Sequence, residues 1–293
     1  MQVTPSMMMN TFVQSSNALS QQMIKLEGET ATGQAYQYPS DNPQAIAGTM
    51  DLNAIGGQIG SYQNAAQNAQ GLLNSSSGAL QQVSKLWSKV IQLGTQAAND
   101  TLTSSDRQAI FDQLTAASTT LKEILGTTYN GQALFNFPST ATAASVPPLV
   151  FQIGPNQQVT VNLIGNEANL YTTPPSTGNI FTQMQSDLQT LAGEVTSGKP
   201  ASQWSVSLNQ LNIDNSYVSN AESLLGGRLQ RVNQQTTYLS NLKTTVTQGI
   251  TNLDGANMTK VASQLAQAET AYQAALQTGA QILPLSLLSY LHP

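Results

Sequence analysis

Two apolar stripes, one near each end of the chain, constrain the fold more than any other feature. Near the N-terminus the stripe positions recur at helical spacing: Met8, Phe12, Leu19, Met23 and Leu26. Near the C-terminus they step by four and three without interruption: Val261, Leu265, Ala268, Tyr272, Ala275, Gly279 and Ile282. This spacing places each set on one face of a helix, and the second alternation is typical of a coiled coil. Each end of the chain therefore predicts a helix that needs a partner.

Prolines and glycines mark where the predicted helices end and begin. Gly33 is expected to close the first helix, because the next residues carry two prolines, which oppose a continuous helix. Pro43 is expected to open the second helix, with Ser40 or Asp41 as its cap. This helix should run to about residue 126, with a break at 99–105.

Residues 136–180 have a different composition from the rest of the chain. They hold half of its 12 prolines, and Glu167 is their only charged residue. Two runs, 149–153 and 158–164, are predicted to be strands because they are rich in apolar and β-branched residues and flank a Gly-Pro-Asn turn. The helical pattern returns at about 180–196 and again from about 200 until Asp254 and Gly255 interrupt it.

This order of elements predicts a chain that runs out, turns and comes back. The predicted fold is mainly α: an elongated antiparallel helical rod or coiled coil formed by both termini, with a small β-rich insert in the middle. Three domains are expected. Residues 1–42 and 254–293 form a terminal coiled-coil assembly domain, 43–135 and 181–253 a helical rod domain, and 136–180 a variable insert.

The composition favours a subunit that packs against neighbours. Only 9% of the residues are charged, against roughly 25% in ordinary globular proteins. A surface of amides and hydroxyls can be buried between subunits without stranding charges. The net charge of −5 argues against nucleic acid as a partner, and the absence of cysteine excludes disulfides and thiolate metal sites.

Two observations bear on where the protein acts. The first basic residue is Lys25, so the sequence does not show the positively charged region of a cleavable signal peptide. It also contains no run of about 18 apolar residues that would predict a membrane-spanning helix. An extracellular protein of this sequence would be exported by a route that does not use such a signal.

The residues needed for catalysis are scarce. His292 is the only histidine, which argues against a metal site or a histidine-activated nucleophile. The acidic residues Glu27, Glu29, Asp41 and Asp51 lack the spacing of an EF-hand and are interpreted as solvated or capping groups. We therefore expect no enzymatic activity, no metal and no cofactor.

The two tryptophans and the first methionines are interpreted as packing groups. Trp87 and Trp204 are expected in the core or between subunits, with sugar binding as the alternative. Met7, Met8 and Met9 are expected to form an adaptable contact surface rather than a metal site.

Several strings resemble the family of flagellar hook-associated protein 3, whose subunits join hook to filament. On the N-terminal side these are Ala31-Thr32-Gly33-Gln34 and Tyr38-Pro39-Ser40-Asp41-Asn42-Pro43, in which Asn42 departs from the family's second aspartate. On the C-terminal side they are Gly227-Arg228-Leu229-Gln230-Arg231-Val232, Glu269-Thr270-Ala271-Tyr272-Gln273-Ala274-Ala275-Leu276 and Leu285-Ser286-Leu287-Leu288-Ser289-Tyr290-Leu291. Flagellin shares the general plan, but its first linker is usually different.

The resemblance implies a structural subunit of the bacterial flagellum that assembles as a tubular ring through its terminal helices. The implied partners are copies of the chain itself, another hook-associated protein on the hook side, flagellin or its counterpart on the filament side, and an export chaperone. The implied location is extracellular. The alternatives are a flagellin that itself forms the filament, and a secreted enzyme or needle-type adhesin.

The assembly interface is predicted on both stripes and on the apolar C-terminal end. Its candidate residues are Met8, Phe12, Leu19, Met23, Leu26, Val261, Leu265, Ala268, Tyr272, Ala275, Ile282, Leu285, Leu287, Leu288, Tyr290 and Leu291. Six apolar side chains at roughly 1.5–3 kcal/mol each do not offset roughly 1–2 kcal/mol of ordering per residue over a whole terminal helix. Folding of the ends is therefore expected to depend on assembly.

Overall fold

The computed structural model describes residues 5–136, 148–164, 180–197 and 204–291, with side chains over 7–135, 148–163, 180–197 and 204–281. The described elements follow in chain order: α1 (Pro5–Thr32), α2 (Pro43–Ala97), α3 (Ser104–Leu125), β1 (Thr128–Tyr129), β2 (Gln132–Ala133), β3 (Phe135–Asn136), β4 (Val150–Gly154), β5 (Gln157–Thr160), β6 (Leu163–Ile164), α4 (Ile180–Ser197), α5 (Ser205–Asp254) and α6 (Met258–Leu291). The prediction of a mainly helical chain with a small β-rich insert is confirmed. Glu167 and His292 lie outside the described residues.

The first two helices end and begin where the sequence predicts, but with a different cap. α1 ends at Thr32, and Gly33 follows with a φ of +71°, a left-handed conformation that glycine adopts without a Cβ clash. Pro43 is the first residue of α2, so the cap is the residue directly before it, and the Asn42 side chain accepts the Ala45 N–H at 3.1 Å. The prediction of Ser40 or Asp41 as the cap is therefore wrong.

Asp41 instead organises the linker between the two helices. One oxygen of its carboxylate accepts the backbone N–H groups of Gln37 and Tyr38, each at 3.2 Å. The Asp41 N–H in turn donates to the Tyr38 carbonyl at 2.9 Å. The motif that resembles the hook-associated family is thus a turn in which successive polar side chains satisfy the backbone.

The strands form three two-stranded sheets within the described residues. β4 and β5 pair antiparallel around the predicted Gly-Pro-Asn turn, while β3 and β6 pair parallel. The predicted strand over 158–164 is divided, because β5 ends at Thr160 and β6 begins at Leu163. β1 and β2 form a hairpin that the sequence analysis missed, with Asn130 and Gly131 at φ values of 49° and 77°.

The chain divides into two compact units. One comprises residues 1–58 and 241–293 and contains the terminal helices; the other comprises residues 59–240. We call them the terminal unit and the central unit. The division into three domains made from the sequence stays a prediction. No helix in the described ranges is both long and apolar enough to cross a membrane.

The central unit contains the larger hydrophobic core. Trp87 and Trp204 are both buried in it, and the Trp87 indole N–H donates to the Leu211 carbonyl at 2.8 Å. Their assignment to packing is confirmed, and their rings are not accessible to a sugar. Around them pack residues of α2 to α5, including Leu80, Leu114, Leu121, Met184, Leu188, Leu191 and Leu225.

Two carboxyl groups meet inside the central unit. Asp214 on α5 is fully buried, and its Oδ1 accepts the Gln210 side-chain amide at 3.3 Å. Burial, followed by the nearby charge of Asp187 on α4, raises the pKa of Asp214 to about 7. Burial also raises the pKa of Asp187, although its hydrogen bonds with Gln183, Asp214 and Gln210 oppose that shift. A proton shared between the two carboxyls keeps two negative charges from facing each other.

This pair makes the stability of the central unit depend on pH. Between a pKa of 3.8 for an ordinary aspartate and about 7 for Asp214, the folded chain holds a proton that the unfolded chain releases. The stabilisation is therefore complete at low pH and is lost as the pH rises through about 7. We expect the free energy of unfolding to fall by a few kcal/mol across this range.

Asp214→Asn should remove most of this pH dependence, because an amide can donate to Asp187 without losing a proton. The variant should be more stable than the parent at about pH 8. Urea unfolding at a series of pH values measures both effects. Asp112→Asn, at an exposed position of α3, is the matched control. An unchanged slope in Asp214→Asn contradicts the assignment.

Candidate assembly interface on the terminal helices

The two terminal helices pack together within the terminal unit. Leu26 of α1 forms a small buried cluster with Val261 and Ala268 of α6, and each of the three is 4–5% exposed. Met23 and Leu265 are partly buried and pack against this cluster. Phe12 lies over Gly279, near the other end of the seam. Phe12 thus contacts the later part of α6 and Leu26 the earlier part, so the helices run antiparallel.

The predicted interface residues are distributed along this seam. Phe12, Leu19, Tyr272 and Ala275 are half-buried, as are Met23 and Leu265. Met8 is 44% exposed and contributes little to the seam. The backbone of 282–291 is helical, and its side chains, including those of Ile282, Leu285, Leu287, Leu288, Tyr290 and Leu291, lie outside the described residues. The role of all these residues in assembly stays a prediction.

The linker after α1 is joined to the turn between α5 and α6. Gln34 pairs with Gly255 as an antiparallel bridge. On one side of the bridge the Ala35 N–H donates to the Asp254 carbonyl at 2.7 Å, and on the other the Ala256 N–H donates to the Gly33 carbonyl at 2.9 Å. Two short segments far apart in sequence are thereby held together by backbone hydrogen bonds.

Asp254 adds a side-chain hydrogen bond to this junction. Its carboxylate is 4% exposed and accepts the Tyr36 N–H at 3.0 Å. From the sequence, Asp41 is expected to be a capping or solvated group and Asp254 to interrupt a helix. The pairing of the first linker with the last turn was not predicted. Asn257, three residues later, caps α6 through the Lys260 N–H at 3.1 Å.

Glycine is required at position 255 because the site has no room for a Cβ atom. A Cβ at this position would overlap the backbone carbonyl oxygen of Thr251, which cannot move without breaking the end of α5. Gly255→Ala should therefore destabilise the terminal unit by about 2 kcal/mol. Gly57→Ala is the matched control, since a Cβ there meets nothing within 4 Å and alanine favours helix by up to about 1 kcal/mol. Thermal unfolding followed by circular dichroism separates the two, and an equal response of both variants contradicts this account.

The outer faces of the terminal unit expose many large apolar side chains. Val13 and Ile24 on α1 are 42% and 66% exposed, and Leu276 on α6 is 48% exposed. Others in the same unit are Met7, Met8, Tyr38, Met50, Ile55, Leu253 and Met258. We call the set of Val13, Ile24 and Leu276 the outer apolar face. Most of the exposed large apolar residues described for the chain thus lie in the terminal unit.

The outer apolar face was not predicted from the sequence, although a signal for it is present. Val13 and Ile24 are eleven residues apart, which is close to three helical turns and places them on the same side of α1. They fall outside the three-and-four pattern of the seam, so they were not assigned to any surface. α1 is therefore apolar on two sides, which is typical of a helix with more than one neighbour.

The terminal helices carry few charged residues: Lys25, Glu27 and Glu29 on α1, and Lys260 and Glu269 on α6. Among the described side chains one ion pair forms, between Lys25 and Glu29 at 4.0 Å. Two hydroxyls on α6 are satisfied by their own helix: Thr270 and Thr278 donate to the carbonyls of Ala266 and Ala274. No group of three or more His, Cys, Asp or Glu side chains in the described part of the chain could hold a metal ion.

Family models match both helical ends of the chain. The bacterial flagellin N-terminal helical region matches residues 3–140, and the bacterial flagellin C-terminal helical region matches residues 209–291. Together they cover about three quarters of the chain. The chain belongs to the bacterial flagellin family. The two matched regions contain α1 and α6, and also the linker after α1 and the turn between α5 and α6 that pair with each other.

Comparison with individual proteins agrees with this assignment. A flagellin of Clostridium tyrobutyricum is 26% identical over 138 residues, which is 46% of this chain and 36% of that protein. The chain thus spans about a third of the length of this flagellin.

Two solved structures share the fold. A protein described as a flagellar hook-associated protein from Vibrio parahaemolyticus has a TM-score of 0.62 at 19% identity, covering 73% of this chain and 100% of its own. FlgL of Bacillus cereus has a TM-score of 0.55 at 13% identity, covering 69% of this chain and 99% of its own. At these identities the likeness is one of fold.

Proposed function

We propose that this flagellin-family chain is a structural subunit of the flagellum that joins hook to filament, and that it assembles with neighbouring subunits through its terminal helices. The observation that carries the proposal is the terminal unit itself. It buries Leu26, Val261 and Ala268 in a small cluster, while Val13, Ile24 and Leu276 remain exposed on the same two helices. Such a unit gains burial when neighbours cover its outer apolar face.

The partners proposed are copies of the chain in a tubular ring, another hook-associated protein on the hook side and flagellin on the filament side. An export chaperone is proposed to hold the C-terminal helix before the chain leaves the cell. Export to the outside and a structural rather than catalytic role follow from the same assignment. Membership of the flagellin family supports them.

A second candidate is flagellin itself, the subunit of the filament. The matched family regions and the Clostridium relative favour it. The full coverage of two hook-associated structures favours the junction. The two roles differ in the number of subunits, because a junction is one short zone whereas a filament repeats its subunit along its whole length.

Copy number in purified flagella tests the proposal. Quantitative mass spectrometry with isotope-labelled peptides of this chain and of the hook protein gives the ratio of the two. The junction role predicts fewer copies of this chain than of hook protein. A large excess over hook protein contradicts it and supports the flagellin role.

A further inference from the structure

An open groove lies between the β4–β5 hairpin and α5 in the central unit. It encloses about 610 Å³, and the residues that form its wall include Gln157, Gln158, Arg231, Gln234, Gln235 and Tyr238. The volume falls in the range that small-ligand sites occupy in proteins, which is roughly 300–1,000 Å³. This groove has no part in the assembly role proposed above.

Gln235 lies at the base of this groove. Its side chain is 8% exposed and lines the cavity. Its amide can both donate and accept a hydrogen bond with a molecule in the groove. Gly154 makes room for this amide, because a Cβ there would lie 2.9 Å from Gln235 Nε2.

The hairpin is fixed against α5 by an arginine. The Arg231 guanidinium donates to the Gln158 carbonyl at 3.3 Å, and the neighbouring Arg228 donates to the Asn162 carbonyl at 3.1 Å. The two walls of the groove are therefore connected by hydrogen bonds. Both arginines belong to the string over residues 227–232, one of those that carry the resemblance to the hook-associated family.

The chemistry of the wall selects the class of ligand. Amides carry both a donor and an acceptor, which matches the hydroxyl groups of a sugar, since each hydroxyl also donates and accepts. Tyr238 is 56% exposed and offers an aromatic face to the C–H side of a sugar ring. No carboxylate is among the described residues that line the groove, which does not suit a metal ion.

The groove continues beyond one sugar unit. A second opening of about 440 Å³ shares Gln158 and Arg231 with the first and is lined also by Thr160, Ser223 and Arg228. Hydroxyls and amides thus extend along the same side of α5. We propose that this groove binds an oligosaccharide, with Gln235 hydrogen-bonding one sugar and Tyr238 packing against its ring.

Binding to the isolated full-length chain tests the proposal without reference to its role in the flagellum. Cellotriose, chitotriose, maltotriose and sialyllactose are titrated by calorimetry up to about 10 mM. At least one is expected to bind saturably, and Tyr238→Ala and Gln235→Met are each expected to weaken it about tenfold or more. Tyr38→Ala, at another exposed tyrosine, and Gln230→Met, at an exposed glutamine of α5 outside the groove, are expected to leave binding unchanged.

Two results overturn the proposal. One is a failure of all four sugars to bind, or binding that the groove variants do not weaken. If Gln235→Met does not fold, Tyr238→Ala alone gives this answer. The other concerns a protein occupant. The chain has no cysteine, so Gln234→Cys introduces a single thiol, and maleimide labelling in the monomer but not in purified flagella assigns the groove to a neighbouring subunit.

Discussion

A chain carrying both Val13→Asp and Ile24→Asp is expected to fold as a monomer like the parent and to leave cells non-motile. Both side chains are exposed in the terminal unit, so carboxylates there remain solvated in the free chain. Assembly would bury these carboxylates, and an unpaired buried ion costs several kcal/mol. Swimming assays and micrographs of the cells measure the loss, and circular dichroism of the purified variant checks its fold.

The matched control adds the same charge to another side of the same helix. Gln14 and Gln21 are exposed polar positions of α1, and Gln14→Asp with Gln21→Asp is expected to reduce motility much less. Normal filaments in the Val13 and Ile24 variant would show that the outer apolar face is not covered in the flagellum.

Leu26→Asp, unlike the Val13 and Ile24 variant, is expected to disrupt the folded monomer itself. Leu26 is 5% exposed and is one of three buried residues in the cluster that joins α1 to α6. Loss of a buried leucine side chain costs roughly 2–5 kcal/mol, and an unpaired carboxylate adds to this. Since the cluster is small, we expect the terminal helices to separate and to lose much of their helical structure.

Far-UV circular dichroism and limited proteolysis measure this loss. Cleavage should begin in the terminal helices while a fragment containing the central unit, with its separate core, persists. Ile24→Asp is the control two residues away, with a side chain that is 66% exposed and an expected circular dichroism spectrum like that of the parent. Equal helix content in the Leu26 and Ile24 variants contradicts the assignment of inner and outer faces.

Local sequence signals predicted the helices and their limits well. Gly33 and Pro43 mark helix ends because their backbone preferences operate without tertiary contacts. The inner seam was legible for a similar reason, since a repeat of three and four residues places side chains on one face whatever the partner. The Asn130–Gly131 hairpin carried an equally local signal that the sequence analysis did not use.

Interactions between distant segments could not be read in the same way. Gln34 pairs with Gly255, and Asp187 meets Asp214, only because the fold brings separate elements together. The groove beside Gln235 depends on how the β4–β5 hairpin lies on α5, which no repeat in either segment encodes. The predicted contribution of the apolar C-terminal end to assembly stays a prediction.

Deletion of residues 283–293 addresses that prediction. Leu285, Leu287, Leu288, Tyr290 and Leu291 lie in this segment, and an uncovered apolar end is a liability unless a partner binds it. The truncated chain is expected to keep the central unit folded and to fail to enter the flagellum. Motility equal to that of the parent would refute this role.

The position of the chain in the flagellum tests the central claim most directly. Gln113→Cys places a single thiol at an exposed site of α3 in a chain without cysteine, and gold-labelled maleimide then marks the subunit in electron micrographs, with the unsubstituted strain as the background control. The junction role predicts gold in one short band between hook and filament. Gold spread along the whole filament, or absent from the flagellum, contradicts it.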